Sequence, residues 1–207
     1  PKDVCEKRRA VGLPFRECDV TPLTFLQKQL ILGSLLGDGS IVRGKEDKNC
    51  RFSEAHSIKQ RDYLLFKYER LKPYSGKFIE YLGKYGMECK FSTKAHPCFN
   101  TFRKMFYDEG GKKIIKTSTL GYITHPLALA TWFGDDGSND KWDYRLATAN
   151  FSVKEIKLLI RWLKRTFGIK SSLHKHGKYW YVSIRKDKLN FKRLIRLYLP
   201  KVMSYKI

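Results

Sequence analysis

The sequence predicts an α+β protein made of two similar halves, each with the element order α-β-β-α-β-β-α and antiparallel sheets. An apolar run ending in Asp-Gly-Ser occurs twice, as ILGSLLGDGS over 31–40 and LATWFGDDGS over 129–138. Each run is followed by the same succession of strand and helix patterns, and 207 residues are enough for two halves with a substantial core. The expected divisions are an N-terminal arm or leader over 1–20, a first half over 21–108, a linker over 109–124 and a second half over 125–207.

The two apolar runs have the start and stop signals of helices. The first helix is expected to begin at Thr21-Pro22 or at Thr24, because threonine is a favourable N-cap and proline fits the first turn. The second repeats this plan, with Thr124 as the expected N-cap and Pro126 in the first turn. Asp-Gly-Ser then ends both helices, since glycine interrupts a helical pattern.

The first helix is apolar on every side. Residues at spacings of four, three and four share one face, and three leucines cover the others. A helix that is apolar all round but too short for a membrane is expected to be buried in the middle of the protein. The shared face comprises Leu26, Leu30, Gly33 and Gly37, and the covering residues are Leu32, Leu35 and Leu36.

Matching strand and helix patterns follow each apolar helix. In the first half an amphipathic helix over about 60–72 places Leu64, Leu65, Tyr68 and Leu71 on its inner side. The other elements of that half are strands over 40–43, 50–56, 77–86 and 87–94 and a helix over 98–109. Those of the second half are strands around 143–149, 169–176 and 178–186 and helices over 152–167 and 188–199.

The charge balance indicates a polyanionic partner. Lys and Arg number 42 against 20 Asp and Glu, which gives a net charge of +22. A folded protein with this excess repels itself, and nucleic acid is the usual partner that offsets the repulsion. The alternative is a basic surface that only keeps the protein in solution.

Cysteine and hydropathy patterns bear on the compartment. The five cysteines are scattered without a Cys-x-x-Cys pair, which indicates reduced thiols in an intracellular compartment and disfavours structural zinc. No apolar run has the length of a membrane span, so no membrane partner is expected. No signal peptide is visible, although a chain that starts at Pro1 without Met can have lost one. The sequence leaves open whether the host is an organelle (mitochondrion or chloroplast), a bacterium or a phage.

The predicted strands alternate between an apolar and a polar face. In 87–94, Met87, Cys89 and Phe91 point one way and polar side chains the other. A plain solvent face is one interpretation, but with this net charge we favour a DNA groove lining, because Lys and Arg contact phosphates and guanine edges. Two sheets with strands of about 17–20 Å would span on the order of 12–18 base pairs. The candidate DNA-binding residues are Arg43, Arg51, Ser53, Lys77, Glu88, Lys90, Ser92, Lys94, Lys141, Arg145, Lys170, Ser172, His174, Tyr179, Tyr181, Ser183 and Arg185.

The segments ILGSLLGDG over 31–39 and LATWFGDDG over 129–137 resemble the paired motifs of LAGLIDADG homing endonucleases, in the single-chain form with two pseudo-symmetric halves. The resemblance extends over residues 22–207, where the order of elements also matches. It implies a monomer whose sheets form a DNA-binding saddle around two packed central helices.

The resemblance also implies how the two central helices pack. They are expected to lie side by side through small residues, with Gly33 and Gly37 facing Ala130, Thr131 and Gly134. The small residues of the two motifs do not align position for position, so the interhelical register stays open. Close packing would bring the two helix ends, and their carboxylates, together.

Aligning the terminal Asp-Gly pairs makes Asp38 and Asp136 the catalytic acids and metal ligands that the family implies. The side chain of Asp135 is expected to be a spectator. Its backbone carbonyl and that of Gly37 are expected to complete the metal shell.

Sites of the family carry a basic residue on each side, near the attacking water or the scissile phosphate. Lys113 in the linker and Lys206 near the C-terminal end fit these two catalytic positions. Lys112 and Lys116 are neighbours that fit the first position nearly as well.

The chemistry of paired carboxylates favours a divalent cation. Two carboxylates a few ångströms apart both stay ionised only when cations lie between them. Mg²⁺ suits an all-oxygen site; Mn²⁺ is expected to substitute, and Ca²⁺ to bind without supporting cleavage. The resemblance then implies cleavage of both DNA strands across the minor groove with short 3′ overhangs.

Two other functions fit the same fold and charge. An intron-encoded member can act as an RNA maturase for its host intron, and a degenerate member can be a DNA-binding regulator that does not cut. The second is disfavoured because such proteins usually lose the acids, whereas Asp38 and Asp136 are both present. The favoured function is a site-specific homing endonuclease, encoded by an intron or an intein, that acts on a long asymmetric double-stranded DNA target.

Overall fold

Two repeats of the same seven elements follow one another in the chain. The structure is a computed structural model that describes residues 22–207, so the arm over 1–20 and the expected cap Thr21 lie outside it. The first repeat contains α1 (Phe25–Leu36), β1 (Ser40–Val42), β2 (Arg51–Ser57), α2 (Arg61–Leu71), β3 (Ser75–Gly83), β4 (Gly86–Thr93) and α3 (Cys98–Phe106). After the short helix α4 (Thr117–Leu120), the second contains α5 (Pro126–Asp136), β5 (Gly137–Asn139), β6 (Tyr144–Ala147), α6 (Val153–Phe167), β7 (Ser172–His176), β8 (Tyr179–Ile184) and α7 (Lys188–Ile195). Lys201–Lys206 form a closing 3₁₀ helix. The predicted fold class is confirmed.

The N-caps of the two central helices differ. Thr24 caps α1 in a reciprocal capping box with Gln27, as one of the two expected starts requires. The expected cap Thr124 is wrong, because His125 caps α5 by accepting a hydrogen bond at Nδ1 from the Leu127 N–H at 3.2 Å. The backbone N–H groups of Thr124 and His125 both donate to the buried Gln29 Oε1 at 3.1 Å, which ties this loop to α1.

Each repeat forms one antiparallel four-stranded sheet, with strand orders β1-β2-β4-β3 and β5-β6-β8-β7. Ser53 pairs with Ser40 and Ser92 in the first sheet, and Arg145 pairs with Ser138 and Ser183 in the second. Ser53 and Arg145 therefore occupy equivalent positions. Within residues 22–207 no strand pairing joins the two sheets, so the halves meet mainly through α1 and α5.

Helices α1 and α5 approach each other closely at two glycines. A Cβ placed on Gly33 would lie 2.4 Å from the Ala128 carbonyl oxygen, and one on Gly37 would lie 2.6 Å from the Asp135 Cβ. The expected partners Ala130, Thr131 and Gly134 are therefore replaced in this register by Ala128 and Asp135. Gly134 packs instead against Tyr63 of α2, because a Cβ there would lie 2.2 Å from the tyrosine hydroxyl.

The buried face of α2 differs from the expected one. Helix α2 buries Tyr63, Leu64, Lys67 and Leu71, whereas Leu65 and Tyr68 are only half-buried. One position of this buried stripe is therefore taken by a lysine.

The first turn of α1 leaves the core. Leu26, expected on a buried face, is 50% exposed, whereas residues 29–36 are buried.

The expected linker over 109–124 is not a plain connection, because it contains α4. No helix in the described part of the chain is both long enough and apolar enough to cross a bilayer.

Candidate active site

The ends of α1 and α5 carry the two motif aspartates. Asp136 is the last residue of α5, and Asp38 lies two residues beyond α1. The N–H groups of Gly37 and Gly39 both donate to the Ser34 carbonyl, at 3.0 and 2.8 Å, and hold the Asp38 turn against the helix end. The Asp38 side chain is 43% exposed, so it faces the solvent side of this turn.

The carboxylates at the two helix ends influence one another through their charges. Burial, and after it the negative charges of Asp38 and Asp135, together raise the pKa of Asp136 to about 7. The positive charges of Lys113 and Lys206 oppose that rise only in part. The ionised form of Asp136 is therefore less stable than that of an ordinary surface aspartate, and a bound cation would stabilise it.

Each of the two candidate lysines contacts backbone carbonyls at one helix end. Lys113 Nζ donates to the carbonyls of Gly37 and Gly39, both at 2.9 Å. Lys206 Nζ donates to the carbonyls of Gly134 and Asp135, at 2.7 and 3.3 Å. Burial lowers the pKa of both lysines, and the nearby carboxylates oppose this shift. The neighbours Lys112 and Lys116 are exposed, so Lys113 is the residue of that group at the site.

A small cavity joins several of these groups. Its volume is about 230 Å³, and its lining includes Gly37, Lys113, Asp136 and the turn between β6 and α6. Asn150 in that turn was not among the predicted site residues, and no sequence pattern marks it. The structure therefore brings together one acid, one lysine and one backbone carbonyl around a space large enough for waters.

The Asp135 side chain, expected to be a catalytic spectator, has a structural role. This carboxylate is fully buried and accepts hydrogen bonds from the Tyr63 hydroxyl at 2.7 Å, from Lys67 Nζ at 2.5 Å and from the Asp38 N–H at 3.4 Å. Burial raises the pKa of Asp135 to about 6 although Lys67 opposes the shift. The backbone carbonyl of Asp135 accepts a hydrogen bond from Lys206 Nζ at 3.3 Å.

Two polar residues of β2 point into the core below Asp38. His56 Nε2 lies 2.8 Å from Glu54 Oε1, and His56 Nδ1 lies 3.6 Å from Asp38 Oδ2. Lys67 Nζ is hydrogen-bonded to Glu54 Oε1. Burial alone would raise the pKa of Glu54, but the charge of Lys67 and the hydrogen bond from His56 lower it to about 2. Neither residue was predicted from the sequence. The alternation of β2 places both on the same face as the buried Phe52 and could have indicated that they are buried.

The first sheet presents part of the predicted DNA-binding set in one depression. This depression of about 400 Å³ is lined by Arg51, Lys77, Lys90, Ser92 and Lys94, among other residues. Arg43 is exposed near the end of β1, and Glu88 accepts a hydrogen bond from the Tyr81 hydroxyl at 2.6 Å.

The second sheet has the other predicted contacts on its surface. Arg145 is paired with Asp140 and Asp143, and Tyr181 lies half-buried beneath its guanidinium. The remaining exposed members of the set are Lys141, Lys170, Ser172, His174, Tyr179 and Arg185.

Two predicted DNA contacts are wrong. Ser53 and Ser183 are 6% and 1% exposed. The Ser53 hydroxyl is hydrogen-bonded to the Ser92 hydroxyl at 2.9 Å, and the Ser183 hydroxyl donates to Asp143. Neither hydroxyl is available to a base.

The raised pKa of Asp136 predicts a pH-dependent stability of the metal-free protein. Between pH 4 and 7 the folded protein holds a proton on Asp136 that the unfolded chain, with a pKa of 3.8, has lost. Stability should therefore fall as pH rises through this window, by on the order of 3 kcal/mol from this group. Urea unfolding in EDTA at pH 4.5 and 7.5 should show the loss in the wild type and a smaller loss in Asp136→Asn. Parallel losses in both proteins would contradict the assignment.

Comparisons with known proteins agree with this fold. A family model of the LAGLIDADG DNA endonuclease family matches residues 28–191. The DNA endonuclease I-ChuI of Chlamydomonas applanata is 31% identical over 208 residues, which cover 89% of this chain and 95% of that protein. The cytochrome b mRNA maturase bI2 of Debaryomyces hansenii is 33% identical over 183 residues, which cover 84% of this chain and 67% of that protein.

A solved structure has the same fold. The homing endonuclease I-WcaI bound to its DNA recognition sequence superimposes with a TM-score of 0.83, over 97% of this chain and 96% of that chain. The identity of 24% makes this a likeness of fold.

Proposed function

The chain belongs to the LAGLIDADG DNA endonuclease family, and we propose that it is a homing endonuclease that cuts both strands of a long, asymmetric double-stranded DNA target. One observation carries the proposal: two packed helices end in acids whose charges interact, and each helix end has a lysine on its backbone carbonyls. A protein that only bound DNA would not need this arrangement. We also propose that an intron or an intein encodes it and that it acts as a monomer, since both halves of the site lie in one chain.

The donor atoms at the helix ends fit a hard divalent cation. The carboxylates of Asp38 and Asp136 and the carbonyl oxygens of Gly37 and Asp135 are all oxygen ligands, which Mg²⁺ prefers. Burial first, and then the charges of Asp38 and Asp135, raise the pKa of Asp136, and a cation bound at this position would offset those charges. A bound divalent cation would supply Lewis acidity for activating water and for neutralising the leaving 3′ oxygen. We propose Mg²⁺ as the natural ion, with Mn²⁺ as a substitute.

The protein's own groups would position the DNA and offset its charge. The half-exposed Asp38 faces solvent and is accessible to a scissile phosphate, while Asp136 opens into the 230 Å³ cavity beside Lys113. Lys113 and Lys206 carry ammonium groups whose remaining hydrogens can be donated to phosphate oxygens. Because the lysines are held by backbone carbonyls, these charges are preorganised where negative charge would develop.

A second function is favoured by one comparison. The relative of Debaryomyces hansenii is a maturase, and the RNA of the host intron is therefore a second candidate partner. Maturase function would appear as stimulated splicing and would not need Asp38 or Asp136. The same purified protein should accordingly be tested with the intron RNA.

The central experiment is a cleavage selection from a randomised duplex library in Mg²⁺. We expect one long asymmetric site to be cut on both strands, with no cutting in EDTA and binding without cutting in Ca²⁺. Efficient cleavage in EDTA would contradict the metal-dependent mechanism. Binding with no cleavage in Mg²⁺ or Mn²⁺, together with stimulated splicing, would favour the maturase.

The affinity for this target should fall steeply with salt. If six or more phosphates are contacted, raising salt from 50 to 200 mM should weaken binding by about a thousandfold or more. Lys77→Gln and Lys90→Gln, in the depression on the first sheet, should each lower the slope of log K against log salt by about one. Lys157→Gln on the exposed side of α6 is the matched control and should leave the slope unchanged. Equal effects at all three positions would contradict the assignment of the binding face.

A further inference from the structure

Three charged side chains meet in the core between β2, α2 and the end of α5. Glu54, Lys67 and Asp135, called the buried ionic junction below, have side chains that are 0%, 1% and 0% exposed. Glu54 and Lys67 belong to the first half and Asp135 to the second, so the junction crosses between the halves.

The hydrogen bonds of the junction fix its geometry. Lys67 Nζ uses its three donors on Ser34 Oγ at 3.1 Å, Asp135 Oδ1 at 2.5 Å and Glu54 Oε1. The Tyr63 hydroxyl adds a donor to Asp135, and His56 adds one to Glu54. Buried charges of this kind lose several kcal/mol of hydration each, and an apolar replacement is often as stable. Stability alone therefore does not account for the junction.

The second half shows that the fold does not need these charges. By strand register, Glu54 corresponds to Leu146 in β6, which is fully buried. Lys67 corresponds to Leu159, because Leu64, Lys67 and Leu71 in α2 repeat the spacing of Ile156, Leu159 and Leu163 in α6. Asp135 corresponds to Gly37 in the aligned motifs. The same positions are thus apolar or without a side chain on the other side of the molecule.

The junction reaches Asp38 and has no counterpart at Asp136. Asp135 Oδ2 accepts the Asp38 N–H, and His56 links Glu54 to the Asp38 carboxylate region, with Nδ1 at 3.6 Å from Oδ2. The residue equivalent to His56 is Thr148, whose hydroxyl donates to the Trp180 carbonyl instead. Asp136 is held by the last turn of α5, while Asp38 lies outside α1 in a turn.

We propose that the buried ionic junction positions Asp38 and thereby makes the two strand cuts unequal, with Lys67 as the central positioning residue. The inference rests on the proposed endonuclease function. The junction acts through the Asp38 turn, so it changes the cut that depends most on Asp38 and leaves the fold and the DNA-binding face intact.

The test replaces the junction by the residues that the second half already uses. The variant Glu54→Leu/Lys67→Leu/Asp135→Gly removes the three charges together, so none of the three is left buried without its partner. His56 and the Tyr63 hydroxyl each lose one acceptor in this variant. Asp135→Asn is a milder second variant that keeps the size of the side chain and removes one charge. Leu159→Met is the matched control, because it changes the equivalent buried position of the second half while conserving volume.

The readout is the ratio of the two nicking rate constants, measured in single turnover on a duplex whose strands carry different fluorophores. We expect unequal rates in the wild type, a change of the ratio by about tenfold in the triple variant and a smaller change in Asp135→Asn. Leu159→Met should keep the wild-type ratio. Target affinity should stay within about twofold in all variants, as expected when the binding face is untouched.

The outcomes separate this inference from the proposed function. Wild-type protein that cuts neither strand would refute the proposed function and this inference with it. Cleavage with an unchanged ratio in both junction variants, even at a lower overall rate, would refute the positioning role alone. A triple variant too unstable to assay leaves the decision to Asp135→Asn, where an unchanged ratio again refutes the role.

Discussion

Asp38→Asn and Asp136→Asn are each expected to abolish double-strand cleavage while target binding stays within about tenfold of the wild type. Asparagine keeps the shape of each side chain but removes the charge that would hold a divalent cation, which is worth several kcal/mol in the transition state. The expected loss in rate is on the order of a thousandfold or more. The measurement is single-turnover cleavage in Mg²⁺, with binding measured in Ca²⁺.

Asp62→Asn is a suitable control for these variants. Its carboxylate is 69% exposed and lies 3.5 Å from the Arg61 guanidinium, in a surface ion pair, so cleavage should be unchanged. Full activity in either motif variant would contradict the assignment of that aspartate. Loss of binding together with cleavage would point to a folding defect instead, which thermal unfolding of the same samples would detect.

Gly33→Ala is expected to force the two central helices apart. A methyl group at this position would lie 2.4 Å from the Ala128 carbonyl oxygen and 2.8 Å from its Cα, and backbone atoms cannot rotate away. We expect a loss in the free energy of unfolding of about 3 kcal/mol or more. Because both carboxylates depend on this contact, the cleavage rate should fall by about tenfold or more even where the variant folds.

Gly76→Ala provides the comparison for this substitution. A Cβ at Gly76 would meet the Ser92 carbonyl oxygen at 3.4 Å, which is close to ordinary contact. Its stability should change by less than about 1 kcal/mol. The free energies of unfolding of both variants and the wild type should be measured in urea at one pH. Equal stability of Gly33→Ala and the wild type would contradict the close helix contact.

The fold could be predicted from the sequence because its signals are local and repeated. The apolar runs before Asp38 and Asp136, the alternating strands and the amphipathic stripe of α6 each identify an element without tertiary information. The duplication then supplied the topology, since a pattern found twice in the same order implies two equivalent halves. The helix caps show the limit, because the choice between Thr124 and His125 depends on a hydrogen bond to Gln29 in another helix.

The polar groups beneath the site could not be predicted in the same way. Lys67 takes a position in the inner stripe of α2 that an apolar residue normally fills, and its partners Glu54 and Asp135 lie in β2 and α5. Only the assembled fold places these three charges together. Taken alone, Lys67 looks like a solvated surface residue and Asp135 like a spectator beside Asp136.

Strand alternation predicted the direction of side chains but not their depth. Ser53 and Ser183 point to the expected face, yet neighbouring side chains cover both. Arg51, on the same strand as Ser53, and Arg145, which pairs with Ser183 from the neighbouring strand, remain partly exposed because their side chains are long.

The ionic contact across the two repeats restricts how such a gene can recombine. A hybrid that joined residues 22–108 to a foreign second repeat with glycine in place of Asp135 would leave Lys67 with one carboxylate instead of two. The Asp38 N–H and the Tyr63 hydroxyl would lose an acceptor in the same event. The repeats, although similar in shape, are therefore complementary rather than interchangeable, and we expect productive shuffling only between parents that carry an acid at that position.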